Sequence, residues 1–288
     1  WATVWRLESA IGVYYAKQNC PLQNFEARLT LLLSTLVPER VLPVTAADPE
    51  RGLLLTPDQG LVFGDVVAEN DVDAWCRLVA AAMQLQRELA GHADELAAAG
   101  LTTLHPGNSA AYVRGRAAAL AALPVDDPRH LAPGRAKALR AQDGLIRGWA
   151  DEVSSLGLPI ALVHNDLHEY NAFDATTGIR FFDFGDAVLA PPLTALLIPL
   201  NVLAGRLGAG NRDPRLVRVA DAALEVWSDV TPMRQLRAAL PAALRLGRIG
   251  RVESWLRVCA SVSPAELAEY GASVPAWLIR VPQDPPIR

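Results

Sequence analysis

Over roughly the first 60 residues, apolar and polar positions alternate over short runs bounded by turn residues. "ATVWRLES" and "IGVYYAKQN" carry aromatic and β-branched residues on either side of "SAIG", which predicts a β-hairpin. In "QNFEARLTLLLSTL" the spacing changes to that of a helix, with Phe25, Leu29, Leu32 and Leu36 predicted on one face and Pro38 ending the run. "VLPVTA" and "GLLLTP" then predict two more short strands around "ADPERG".

From about Asp71 helical spacing dominates. "DAWCRLVAAAMQLQRELAGHADELAAAG" predicts a long helix built on Trp75, Leu78, Val79, Ala82, Leu85 and Leu89. "LTTLHPGNS" and "LPVDDPRHLAPG" read as loops, and a further helix is predicted around 135–156, stopped by Gly157 and Pro159. A strand at Ile160 to Val163 and a hairpin with arms "NAF" and "IRFF" around "DATTG", centred near Thr176, follow. Beyond Asp186 the chain reads as mostly helical, broken at "GAGNRDP", "SDVTP" and "SVSP". The pattern predicts an α+β protein, with a small β-rich lobe over 1–63 and a larger, mainly helical lobe over 64–288.

One apolar run, Ala187 to Gly205, has 19 residues without a charge, about the length of a membrane span. Pro191, Pro192, Pro199 and Asn201 disfavour a continuous lipid-facing helix, so a buried core segment is expected. The net charge of −4 is spread without long runs of one sign, which predicts neither nucleic acid nor a membrane as partner and leaves a small molecule. Cys20, Cys76 and Cys259 are few, odd in number and far apart, as expected for a reducing cytoplasmic setting. "WATVWRLES" has neither the basic start nor the apolar core of a signal peptide. Of 27 basic residues only Lys17 and Lys137 are lysines, which singles out a lysine placed in a strand.

"ALVHNDLHEYNAF" places two histidines, two acids and two asparagines directly after an apolar strand. The predicted hairpin brings Asn171 and Asp183 to its open end, with Asp166 on the loop leading in. Two oxygen ligands with room for water and phosphate suit Mg²⁺, and a nearby carboxylate can take a proton from an attacking hydroxyl. Asp166 to Asn171 has the D-x-x-x-x-N spacing of a kinase catalytic loop, and Asp183-Phe184-Gly185 is a D-F-G after a hairpin of fitting length. Such a site needs a strand lysine upstream and a helix glutamate to hold it, and Lys17 and Glu26 stand where these are expected. Two other readings compete. His164, Asp166 and His168 alternate as H-x-D-x-H, a transition-metal pattern that would make a metallohydrolase, and a nucleotide-binding relative without catalysis is the other.

"HNDLHEYN" with "FFDFGDA" resembles the aminoglycoside phosphotransferase and choline kinase family of protein-kinase-like small-molecule kinases, over nearly the whole chain. The resemblance implies a two-lobed fold, with ATP or GTP between the lobes and a small-molecule hydroxyl as acceptor. Antibiotic resistance is among the roles it brings. It implies Asp166 as base, Asn171 and Asp183 as Mg²⁺ ligands, and Lys17 on the nucleotide phosphates, held by Glu26. "LLLTPDQG" resembles the hinge that binds adenine through main-chain groups, at Thr56 and Asp58. The H-x-D lacks the arginine of protein kinases, and no A-P-E segment follows Asp183, which points to a small acceptor. The family's glycine-rich phosphate loop would precede "WATVWRLES", so further residues upstream of Trp1 are expected. Many relatives follow D-F-G-D-A with an acidic D-P-x-x-D-L stretch, where this chain has "VLAPPLTALL". Glu253 and Asp186 are candidates for a cationic substrate or for surface and helix-end roles, and Trp255 and Trp277 for the core or for substrate stacking.

Overall fold

The computed structural model of the chain describes residues 1–175 and 178–288; the predicted turn centre at Thr176 lies outside the described residues. The polypeptide starts with the expected hairpin, β1 (Ala2–Ser9) and β2 (Gly12–Asn19), with Ser9 opposite Gly12. Gly12 has φ +142°, a conformation that closes the turn without a Cβ penalty. A helix, α1 (Phe25–Leu36), follows, then β3 (Ala46–Asp48) and β4 (Leu53–Pro57). The four strands form an antiparallel sheet in the order β1-β2-β4-β3.

Two expectations shift here. The stripe that α1 buries is Glu26, Leu29, Thr30 and Leu33, one position round from the predicted Phe25/Leu32/Leu36 line, so a carboxylate sits on the core-facing side. Of "VLPVTA" only Ala46 is in a strand; Val41 instead makes a parallel bridge to Phe181, and the Phe181 N–H donates to Arg40 O at 2.8 Å. The chain at 40–42 is thereby fastened to the distant hairpin.

After β4 come α2 (Phe63–Val66) and α3 (Val72–Glu88). Asp71 caps α3, its side chain accepting from Asp73 N and Ala74 N, and Trp75, Leu78, Val79, Ala82 and Leu85 are buried at the predicted spacing. The predicted helix does not run on unbroken: the chain bends at Leu89–His92 before α4 (Ala93–Ala98). After α5 (Ser109–Ala121), the segment predicted as one helix over 135–156 is two, α6 (Pro133–Arg140) and α7 (Asp143–Ser154), and no Gly or Pro marks the break at 141–142.

Next come β5 (Ala161–Val163), the hairpin arms β6 (Ala172–Ala175) and β7 (Gly178–Phe181), and β8 (Val188–Ala190). β8, which apolar content alone did not separate from the following helices, pairs antiparallel with β5, Val163 facing Val188. The uncharged run from Ala187 onward is therefore strand, 3₁₀ turn and then α8 (Leu197–Leu207), and most of it is buried. No described helix is long and apolar enough to cross a membrane.

The rest is helical: α9 (Pro214–Leu224), α10 (Met233–Cys259), α11 (Pro264–Tyr270) and α12 (Ser273–Arg280). Asp213 and Ser263 cap α9 and α11, each with proline at the first helical position. The 27-residue α10 runs through the lobe, packed on α7 and α12, and buries three arginines, Arg248, Arg251 and Arg257.

Candidate active site

Beyond Val163 the chain leaves the β5–β8 ladder into "HNDLHEYN". His164 is buried; its Nε2 lies 2.8 Å from Phe182 O, and since a carbonyl only accepts, this nitrogen carries the proton. Its ring packs on Phe184 at 4.9 Å, so His164 is a strut between the loop and the D-F-G segment. That corrects the H-x-D-x-H reading: His164 is committed to the backbone, and no three His, Cys, Asp or Glu side chains gather as a metal cluster among the described residues. Asn165 takes a left-handed conformation, φ +65°, which turns the chain so that Asp166 follows in the cleft. Asn171 Nδ2 donates to Asp166 O at 2.9 Å, leaving Oδ1 without a protein donor among the described residues.

The hairpin register sets Asn171 opposite Phe182, whose N–H donates to Asn171 O at 3.2 Å, and Asp183 follows with φ +63°. Lys17 Nζ reaches it from β2, 2.6 Å from Asp183 Oδ1 and 2.7 Å from Glu26 Oε2. Glu26 is 1% exposed, and its other oxygen accepts the Phe184 N–H at 2.9 Å, while Asn19 Nδ2 donates to Oε2 at 2.5 Å. Burial alone would lower the Lys17 ammonium, but the Glu26 and Asp183 carboxylates outweigh it and raise it, so the charge is kept. Burial would likewise lift the Asp183 carboxyl, yet Lys17 holds it below the usual carboxylate range.

Asp166 faces the same space. Its Oδ1 is 3.1 Å from Arg251 Nη1, and His168 Nε2 is 3.9 Å from its Oδ2. Burial keeps His168 below the ordinary imidazole value in spite of the Asp166 charge. The same Arg251 Nη1 is 2.8 Å from both Asn165 O and Asp186 Oδ2, and Gln23 Nε2 donates to Asp186 Oδ1 at 2.9 Å. Asp186 is lifted by burial, with Arg251 opposing and Asp166 and Asp183 adding to it.

Two adjoining cavities meet at Lys17 and Asp183. One, of about 280 Å³, is walled by apolar side chains such as Leu42, Leu54 and Phe182, with Thr56 and Asp58 on its rim. The other, of about 370 Å³, is lined by Trp1, Asp166, Asp186, Arg251 and Trp255 as well as the shared pair. The first suits a flat ring system and the second a polar reactant beside a carboxylate. All seven candidate residues except Asn171 line one or the other, and Asn171 is bonded to the Asp166 backbone. The Asp58 N–H already donates to Val13 O at 2.9 Å, and its carbonyl accepts from Gln59 Nε2 at 3.2 Å, so only that carbonyl's second lone pair is left for a ligand, a narrower part than the resemblance implied.

Glu253 and Asp186 also fall into place. Glu253 accepts from Tyr112 Oη at 2.6 Å, inside the lobe, whereas Asp186, paired to Arg251, lines the second cavity. Trp255 edges the second cavity against Trp1, while Trp277 lies beneath Arg251, 5.7 Å from its guanidinium. Residues that sequence reasoning missed are Asn19, Gln23, Asn165 and Arg251. The available signal for Arg251 was weak: an arginine one position after Gly250 in a helix that carries several other arginines.

No protein-family profile and no curated protein sequence matches the chain. Solved structures do. An ethanolamine kinase from Plasmodium vivax superposes with a TM-score of 0.60 at 12% identity, over 96% of this chain and 81% of that one. A macrolide 2′-phosphotransferase from Brachybacterium faecium gives 0.58 at 17% identity, over 94% and 87%. An amicoumacin kinase, solved with AMP-PNP, Ca²⁺ and Ami, gives 0.57 at 13% identity, over 99% and 87%. This chain therefore has the two-lobed, protein-kinase-like α+β fold that these small-molecule kinases share.

Proposed function

We propose that this protein is a small-molecule kinase, moving the γ-phosphoryl group of ATP, or of GTP, to a hydroxyl of a small acceptor. The carrying observation is that Lys17 and Asp183 touch at the junction of two cavities while Asp166 lies in the second. The apolar cavity takes the base of the nucleotide, with Thr56 and the Asp58 carbonyl at its edge, and the phosphates extend towards Lys17. The lobes join near residue 63.

Lys17 is kept protonated by its two carboxylates and supplies a fixed positive charge against the phosphates; Glu26 fixes its position through the Phe184 N–H. Asp166 accepts the hydroxyl proton as the oxygen attacks phosphorus in line. The free oxygens of Asn171 and Asp183 fit Mg²⁺, which takes few protein ligands, keeps waters and offsets phosphate charge when bound. The amicoumacin kinase of similar fold, solved with AMP-PNP and Ca²⁺, supports the cofactor class.

For the acceptor, 206–288 holds 12 arginines against 8 acids, and the two acids proposed above for a cationic substrate are internally paired. This favours a neutral or anionic hydroxy compound, such as a sugar, a nucleoside or a macrolide, over a polycation. An ATP-consumption screen against aminoglycosides, macrolides, sugars, nucleosides and choline-like alcohols tests the reading. Turnover with one class is expected; nucleotide binding without turnover on any acceptor would leave a binding protein instead.

A further inference from the structure

The base does not stand on its own loop alone. Asn165 and Asp166 on one loop and Asp186 and Ala187 on the other are all held by one face of α10. Arg251 Nη1 is within bonding distance of Asn165 O, Asp166 Oδ1 and Asp186 Oδ2. Three and six residues on, Ser254 Oγ accepts from Asn165 Nδ2 at 2.8 Å, and Arg257 Nη1 donates to Ala187 O at 3.0 Å. Asn165 Nδ2 also reaches Asp186 O at 3.1 Å, tying the loops to each other. Close approach needs Gly250, where a Cβ would stand 2.8 Å from Asn165 Oδ1.

We infer that Arg251 is a positioning residue for phosphoryl transfer: from α10 it fixes the Asp166 carboxylate relative to the loop that carries Asp183. An arginine with only 9% of its side chain exposed is costly to bury unless paired, and here its charge is matched by Asp186 and Asp166 together. All three contacts are made by one nitrogen, Nη1, and the guanidinium lies over the Trp277 ring, which fixes where that nitrogen stands. Arg251 does not line the apolar cavity, so it stands apart from the place proposed for the nucleotide base. In the H-x-D sequence of this chain, which has no loop arginine, the guanidinium comes from a helix late in the chain.

The inference rests on the kinase reading for its kinetic part and on geometry for the rest, so two measurements separate them. In steady-state assays with the acceptor found by screening, Arg251→Ala should lose about a hundredfold in kcat, the scale of a misplaced reacting group, with KM for nucleotide unchanged. Arg251→Lys should lose less, and millimolar guanidinium should restore part of the Arg251→Ala rate where urea does not. Deuterium exchange at 164–168 and 183–187 needs no turnover and should quicken in Arg251→Ala at both loops while α3 and β2 are unchanged. Unaltered kcat, or unaltered exchange at both loops, overturns the inference. A wild-type chain without turnover sinks the kinase reading alone, since the exchange data still decide the clamp. Should Arg251→Ala fail to fold, Arg251→Gln, which gives up the charge and keeps a polar side chain, carries the same measurements, and loops that exchange as in wild type count against the inference.

Discussion

Lys17 Nζ stands 2.6 Å from Asp183 Oδ1 and 2.7 Å from Glu26 Oε2, so one ammonium joins a strand and a helix of the small lobe to the D-F-G turn of the large one. Glu26, on the core-facing stripe of α1, has that cation as its only ionic partner among the described residues.

Lys17→Met should for that reason cost stability as well as turnover. Leaving a buried carboxylate without its cation is worth about 3 to 5 kcal/mol, and urea unfolding should register most of it. The rate should fall with it, since the phosphates lose their fixed charge. A variant as stable as wild type would mean that Glu26 draws enough from Asn19 and the Phe184 N–H alone.

Asp166→Asn separates chemistry from architecture. Arg251 keeps its hydrogen bonds to Asn165 O and Asp186 Oδ2, so the melting temperature and nucleotide affinity should hold, while kcat drops by at least about a hundredfold, the usual loss of a general base. Turnover close to that of wild type would remove the base assignment.

Gly250→Ala and Gly148→Ala form a matched pair on α10 and α7. At Gly250 the new methyl meets Asn165 Oδ1 at 2.8 Å and Cγ at 3.2 Å, so the loop must shift, at a cost of about 1 to 3 kcal/mol. At Gly148 nothing lies within 4 Å, and alanine should stabilise by up to about 1 kcal/mol from helix propensity. Denaturant titrations read both signs, and equal signs would reject the close approach.

Acid should expose a further ion pair. Arg129, bonded to Asp127 through side chain and backbone, holds the Asp127 carboxyl down to about 2. In the unfolded chain the group titrates near about 4, so its contribution is present above that pH and is lost as pH falls towards the folded value. The melting difference between wild type and Asp127→Asn should be seen at neutral pH and shrink between about pH 4 and about pH 2. A difference independent of pH would place the stabilisation elsewhere.

Local signals were enough for the first hairpin and for the arms that precede the D-F-G segment, which are bounded by turn residues, and for α1 and α3, which bury a face at the helical repeat. It failed where partners are distant. Val41 reads as the start of a strand beside β4 but bridges to Phe181, and β8 is a strand only because β5 lies alongside. The lysine, the glutamate and the two aspartates could be placed from spacing, since the chemistry that would use them dictates their order. Arg251 could not: an arginine in a helix looks solvated until the fold puts two carboxylates against it. Asp58 shows the reverse, a main-chain donor that reads as free in the sequence and is consumed by β2.

Asp183 adopts φ +63° and ψ +58°, a bend that few side chains tolerate. Alanine there would strip the carboxylate and burden the bend at once, by about 1 to 2 kcal/mol, so an inactive Asp183→Ala conflates two losses in a single number. Asparagine keeps the bend and gives up the charge; glycine relaxes the bend and gives up the ligand. Read side by side, these two replacements turn an ambiguous knockout into a measurement of how much of the site is electrostatics and how much is the shape of one turn.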